Sequence, residues 1–357
     1  MTKLLVVGAL GVVGRAVMER FEGRPGLHAV GLARRTPDFA PEATWVSADL
    51  RDAQATREAL APHNDATHVV YAALNEQADL VRGWRDPENV ALNNRMLANT
   101  LDALRGAPLQ HVSLLQGTKA YGVHTGRAMR VPAREDDALR DHPNFYFDQE
   151  DMVAARAHEA GFRWTIFRPQ IVLGLALGSA MNPVAALGAY AVLARELGRP
   201  LSYPGHPHLL TECTDARLIA AAIEWAWNEP LANAQAFNVA NGDVIVWQTF
   251  FPRLAAWAGI AMGEPSDLRL AREMPKHAEL WQRIAQREGL RVADLDALVG
   301  LSWQYADATF ASRRPFPVPP LVSTIKLRQF GFGDCIDTEE SILQHLGAMQ
   351  RQGYLPG

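Results

Sequence analysis

Residues 6–15 read VVGALGVVGR, and no other stretch of this 357-residue chain restricts its fold so tightly. Gly8, Gly11 and Gly14 follow the apolar run KLLVV and lead into RAVMERF, which has helical periodicity. A buried strand that turns at once into a helix needs glycine in each of these places. Gly8 permits the tight turn, Gly11 lets backbone N–H groups approach a pyrophosphate at the helix N-terminus, and Gly14 lets helix and strand pack closely. Val12 and Val13 share that phosphate-facing turn. The spacing alone is a weak signal, but its place inside a strand, helix, strand unit makes it strong.

That unit repeats along the chain. Short apolar runs, HAVGLARR, TWVSADL, THVVYAAL, HVSLLQG and WTIFRP, alternate with helical patterns such as ATREALAP, NVALNNRMLANTLDALRG and YFDQEDMVAARAHEAG. Continuous apolar strands separated by helices indicate an α/β fold with a doubly wound parallel sheet. The pattern predicts a dinucleotide-binding domain over residues 1–173 and 209–245. The remainder, 174–208 and 246–357, reads as a smaller, mostly helical substrate-binding or lid domain. Its aromatics, Trp247, Phe250, Phe251, Trp257, Trp281, Trp303, Tyr305, Phe310 and Phe316, are expected mainly in a core, with some left to line an apolar pocket.

A net charge of -4 argues against nucleic acid or an anionic membrane surface as the partner. No run approaches the roughly 18 apolar residues of a membrane span. The apolar start is broken by glycines with no small-residue cleavage site behind it, so it reads as strand and turn, not as an export signal. Cys213 and Cys335 are too few for a disulfide framework. A cytoplasmic protein with a small-molecule partner is expected. No metal is expected either, since His206 and His208 lack a ligand cluster. Asp148, Glu150 and Asp151 read as acids at the start of a helix, where its dipole favours them.

At the end of the second strand an acidic residue would bind a ribose 2′-hydroxyl, yet Arg34 and Arg35 stand there. Guanidinium groups suit a 2′-phosphate by charge and forked geometry, which predicts NADPH/NADP+ over NADH. Asp49 and Leu50, after the third strand, would lie beside the adenine. Tyr71 and Ala72, at the end of the fourth, would flank the ribose and phosphates.

GVVG, ARR and ADL resemble the extended short-chain dehydrogenase/reductases. LLQGTKAYG, NFYFDQED, IFRPQIVLG, MNPVAALGAYAVLARELGRPLSYPG and the tail STIKLRQFGF are similar to one subgroup, the progesterone 5β-reductase and iridoid synthase-like enone reductases. The resemblance implies a Rossmann domain with a helical appendage and a catalytic pair, Lys119 and Tyr146. It implies Gln116 and Tyr146 as cofactor contacts, with Pro169 and Ile171 against the nicotinamide. Phe147 stands where the subgroup usually has a second tyrosine, leaving Tyr146 the only phenol of the motif. Four places after Tyr146, where many relatives of this fold carry lysine, stands Glu150. On the same helix face, its carboxylate is expected to disfavour the phenolate and keep Tyr146 a neutral donor. A neutral donor suits 1,4-reduction of an α,β-unsaturated carbonyl compound, with hydride to the β-carbon and the enolate held by Tyr146 and Lys119. A carbonyl reductase or epimerase of the same superfamily and a non-catalytic NADP(H) sensor are the alternatives. A homodimer is compatible with the sequence.

Overall fold

The computed structural model describes residues 1–40, 42–313 and 318–357. Phe316, one of the aromatics named above, lies outside them. The described chain forms two compact units. The first comprises Met1–Gln170, Ala216–Val239 and Val322–Asp334, and the second Ile171–Asp215, Ala240–Leu321 and Cys335–Gly357.

Strands β1 (Thr2–Val7), β2 (Leu27–Ala33), β3 (Thr44–Ser47), β4 (His68–Tyr71), β5 (His111–Leu115) and β6 (Arg163–Pro169) belong to the first unit. Small strands β7 (Ile171–Leu173), β8 (Leu210–Thr211) and β9 (Cys213–Asp215) follow in the second, then β10 (Gln235–Val239) in the first and β11 (Ile245–Val246) in the second. Seven strands make one parallel sheet in the order β10-β6-β5-β4-β1-β2-β3. The chain therefore winds outward from β1 in one direction and from β4 in the other. Ligands of such sheets bind beyond the carboxyl ends of the strands where the winding reverses. Here that point lies between β1 and β4, where Val7 is in register with both Leu32 and Tyr71.

Helices α1 (Val12–Phe21), α2 (Ala53–Leu60), α3 (Leu80–Gly83), α4 (Pro87–Ala103) and α5 (Phe145–Ala160) flank this sheet. Most of the longer ones have a local reason to begin. Asp52 caps α2, Asp86 caps α4 with Pro87 in its first turn, and Asn144 caps α5. Among the remaining helices, α6 (Pro183–Glu196) lies in the second unit and α7 (Ala216–Asn228) in the first. Helices α8 (Trp247–Ala258), α9 (Leu270–Glu273), α10 (Ala278–Glu288), α11 (Leu295–Val299) and α12 (Ser302–Ala308) are in the second. Then α13 (Ile325–Gln329) belongs to the first and α14 (Thr338–Arg351) to the second. Buried along nearly its whole length, α6 is the spine of the second unit. A side chain at Gly188 would meet Leu355 and Leu346 at 2.6 and 2.9 Å, so glycine sets the closeness of that packing. Trp247, Phe250, Phe251, Trp281, Trp303 and Phe310 are buried in this core, with Trp257 and Tyr305 packed against it.

The unit boundaries differ from the sequence-based division in ways that hydrogen bonds explain. Residues 171–173 and 213–215 pair as β7 and β9, and β11 pairs with β8, so both pairs fall in the second unit. Residues 322–334 return to the first unit because Ser323 N–H donates to Ala133, Asn238 donates to the Ser323 carbonyl and Lys326 donates to the Ala236 carbonyl on β10. No helix among the described residues is long and apolar enough to cross a membrane.

Candidate functional site

The end of β1 is built for close approach. Gly8 has φ +85°, and a Cβ there would lie 2.7 Å from the Ala73 nitrogen. At Gly14 a Cβ would lie 2.3 Å from the Gly8 carbonyl oxygen. Both numbers describe backbone packed too closely for any side chain, which holds the strand-to-helix turn tight. Gly11 caps α1 without a side-chain hydrogen bond, so Val12 and Val13 open the helix with backbone donors that no cap consumes. That donor set fits a diphosphate.

Arg34 and Arg35 are exposed directly after β2. Behind them lies Arg15, which the sequence reading passed over. It is buried, donates to Glu19 and to Asp38 at 2.8 and 3.1 Å, and stacks 4.2 Å over Phe39. Arg15 thereby ties the first turn of α1 to the loop that carries the two exposed arginines. The Asp49 carboxylate is gripped by the Arg51 guanidinium, which holds its pKa down at about 2. Leu50 is buried in the core beside it. The Tyr71 ring is also in that core, its hydroxyl unbonded among the described residues, and burial pushes the phenol above its usual range. What this strand end offers a cofactor is therefore backbone, from Tyr71 and Ala72.

Lys119 and Tyr146 come from different elements and meet at one aromatic side chain. Lys119 lies in the short turn Thr118–Tyr121 after β5. Tyr146 is in the first turn of α5 and 7% exposed. The Lys119 ammonium sits 4.0 Å from the centroid of the Trp84 ring, and the Tyr146 ring stands edge-on to the same indole at 5.3 Å. A Cβ on Gly117 would lie 3.3 Å from the Tyr146 hydroxyl and 3.5 Å from the Pro169 carbonyl, so the phenol lies over the β5 loop at the end of β6. Asn144 fixes the pair through the backbone: its side chain accepts from Tyr146 N–H and donates to the Lys119 carbonyl, both at 3.1 Å. Ile171 begins the second unit.

Gln116 is buried, donating to the Tyr146 carbonyl at 2.8 Å and accepting from Arg168 at 2.9 Å. Its side chain is thus committed to holding the start of α5. Arg168, 2% exposed, also donates to the Glu135 carbonyl at 2.9 Å and to Glu150 at 3.2 Å. Arg140 lies 3.3 Å from the other Glu150 oxygen. The expected role of Glu150 therefore needs correcting. Two guanidinium groups neutralise its carboxylate, so it does not confront Tyr146 as a bare negative charge. It is the counter-ion of a buried arginine. Asp151 and Asp148 are likewise engaged, by Arg140 and Asn94. Among the described residues no group of histidine, cysteine and carboxylate side chains could hold a metal ion.

The model of the NAD dependent epimerase/dehydratase family matches residues 4–240. The (S)-8-oxocitronellyl enol synthase of Nepeta cataria is 32% identical over 323 residues, covering 85% of this chain and 81% of that protein. The 3-oxo-Delta(4,5)-steroid 5-beta-reductase of Arabidopsis thaliana is 32% identical over 328 residues, with the same two coverages. Among solved structures, the UDP-glucose 4-epimerase of Thermus thermophilus in complex with NAD superposes with a TM-score of 0.66 at 17% identity, covering 97% of this chain and 99% of that one. This last likeness is one of fold.

Proposed function

As the chain belongs to the NAD dependent epimerase/dehydratase family, in the branch of the 8-oxocitronellyl enol synthases and steroid 5β-reductases, we propose that it is an NADPH-dependent enone reductase. The reaction is 1,4-reduction of the C=C bond of a small apolar α,β-unsaturated carbonyl compound, with steroid 4-en-3-ones among the candidates. The observation that carries this reading is the convergence of Lys119 and Tyr146 on Trp84.

When bound, NADPH supplies the hydride that the β-carbon receives. The Gly8 to Gly14 turn would hold its pyrophosphate, Arg34 and Arg35 its 2′-phosphate, and Pro169 would adjoin the nicotinamide. Reduction at the β-carbon moves an electron pair onto the carbonyl oxygen, making an enolate. Tyr146 donates a hydrogen bond to that oxygen, and the Lys119 ammonium stabilises its charge. A single donor of this kind is typically worth about 10²–10³ in rate. The α-carbon then takes a proton from solvent, giving the saturated carbonyl compound.

The test combines purified protein, NADPH and either 2-cyclohexen-1-one or progesterone, with cofactor absorbance followed and products identified by NMR. Saturated ketones from the wild type, with losses of roughly 10²-fold or more in Tyr146→Phe and Lys119→Ala, are expected. Allylic alcohols would replace the reading with direct carbonyl reduction. Tight NADPH binding without turnover would replace it with a sensor.

A further inference from the structure

To stabilise an enolate, the Lys119 ammonium must be held in place and kept charged. Three side chains form a stack around this task. Lys119 Nζ faces one ring surface of Trp84 at 4.0 Å. The Trp84 indole N–H donates to Glu76 Oε1 at 3.2 Å. The second Glu76 oxygen is buried and unbonded among the described residues. Trp84, 2% exposed, is wedged against Phe145 at 4.8 Å and Tyr146 at 5.3 Å, so it cannot swing away from this stack without opening the cluster.

Glu76 and Trp84 lie in the segment between β4 and α4, and the proposed mechanism uses neither. A carboxylate placed there is costly unless an opposite charge compensates it. The charge across the indole is that of Lys119. An N–H donated to a carboxylate also polarises the ring toward the ammonium on its face, which strengthens a cation–π contact.

We propose that Glu76 is a positioning residue for Lys119: through Trp84 it fixes the ammonium at the site, and it is the counter-charge that keeps the amine protonated. The inference rests on the reading of Lys119 as the cation beside the enolate oxygen. The electrostatics agree in sign. Burial pushes the basicity of Lys119 down and the Glu76 charge opposes this. Burial pushes the Glu76 carboxyl up, while Lys119 and the Trp84 N–H oppose that.

Among the described residues, the other groups named around Trp84 do not supply the charge. Asn144, the cap of α5, donates to the Lys119 backbone carbonyl, and Tyr146 stands edge-on to Trp84; neither carries a carboxylate. His124, edge-on to Trp84 at 6.0 Å, has its pKa lowered to about 4 by burial first and then by Lys119, so it is neutral at working pH. Arg85 and His142, which flank His124, carry no negative charge.

The chain has four lysines, Lys3, Lys119, Lys276 and Lys326, so selective ¹³C-lysine labelling with Lys119→Ala as the assignment control isolates one resonance. Its titration, and the alkaline limb of kcat/KM for 2-cyclohexen-1-one, are measured in wild type, Glu76→Gln and Glu76→Asp. Glu76→Gln keeps an acceptor for the indole and removes the charge. Both the Lys119 titration and the alkaline limb are expected about one pH unit or more lower in this variant, and Glu76→Asp should restore most of the difference. A folded Glu76→Gln protein in which Lys119 titrates as in wild type overturns the proposal. Should Glu76→Gln fail to fold, Trp84→Phe, which keeps a ring and removes the N–H that anchors Glu76, must lower the Lys119 titration or the proposal falls. A lysine shift in a protein that reduces no enone upholds the pair and refutes the enzymatic reading. Turnover with an unmoved lysine does the reverse.

Discussion

Replacing Arg168 by methionine, which keeps most of its apolar length, should destabilise the protein far more than a surface arginine would. Arg168 makes three hydrogen bonds from a site only 2% exposed, to Gln116, Glu150 and the Glu135 carbonyl. Removing one member of a buried ion pair typically costs about 3–5 kcal/mol. Glu150 keeps Arg140 on its other oxygen and retains 19% side-chain exposure, which relieves part of its loss and points to the lower half of that range. Gln116 Oε1, by contrast, becomes a buried orphan acceptor, itself worth about 1–3 kcal/mol. Together these give about 4–7 kcal/mol, or roughly 15 °C in Tm for a unit of about 200 residues. The assay is urea and thermal unfolding by circular dichroism, run as a double-mutant cycle with Glu150→Gln. The double variant should be less destabilised than the sum of the singles by about 1–2 kcal/mol. A loss below about 1 kcal/mol in Arg168→Met, or strict additivity in the cycle, would refute the assignment of Glu150 as the counter-ion of Arg168.

Two further outcomes are expected. Converting Arg34 and Arg35 to serine together should raise KM for NADPH much more than for NADH in steady-state assays, and equal effects would remove the 2′-phosphate assignment. His111 is wholly buried, bonded to Thr165 at 3.1 Å, and its pKa is lowered to about 3 by burial first and then by His68 and Arg163. Its folded value lies below the unfolded one, near 6.5, so the unfolded chain binds the extra proton. This stabilising contribution is complete above pH 6.5 and is lost as pH falls from there toward 3. Urea midpoints between pH 7 and 4.5 should therefore fall less steeply in His111→Gln than in wild type, and parallel curves would contradict this.

The features legible in the sequence were those set by neighbours in the chain. The Gly8, Gly11, Gly14 spacing is a local demand of one strand-to-helix turn, and the backbone there is so close that a Cβ at Gly8 or Gly14 would lie under 3 Å from it. Apolar runs such as KLLVV are legible for the same reason, because a central parallel strand is buried on both faces. What escaped notice depends on distant partners. Trp84 acquires its meaning from Lys119, 35 positions on, and Glu150 from Arg168, on a different element. Reading Glu150 only against Tyr146, its neighbour one helical turn away, gave it the wrong charge environment. Tyr71 was placed by its strand end, but the alternation of strand side chains directs its ring into the core. The return of residues 322–334 to the first unit depends on hydrogen bonds to Ala133, Ala236 and Asn238, which no periodicity announces.

That return has a consequence for how the chain is made. The first unit is assembled from three separated stretches, the last ending at Asp334, and the sheet edge at β10 is among the later parts to be synthesised. During translation, which proceeds from the N-terminus, β1 to β6 emerge well before the strand and the strap that complete their edge. The first unit therefore cannot be finished until most of the second has also left the ribosome. A chain cut short before residue 322 leaves the first unit itself incomplete, not merely without the second.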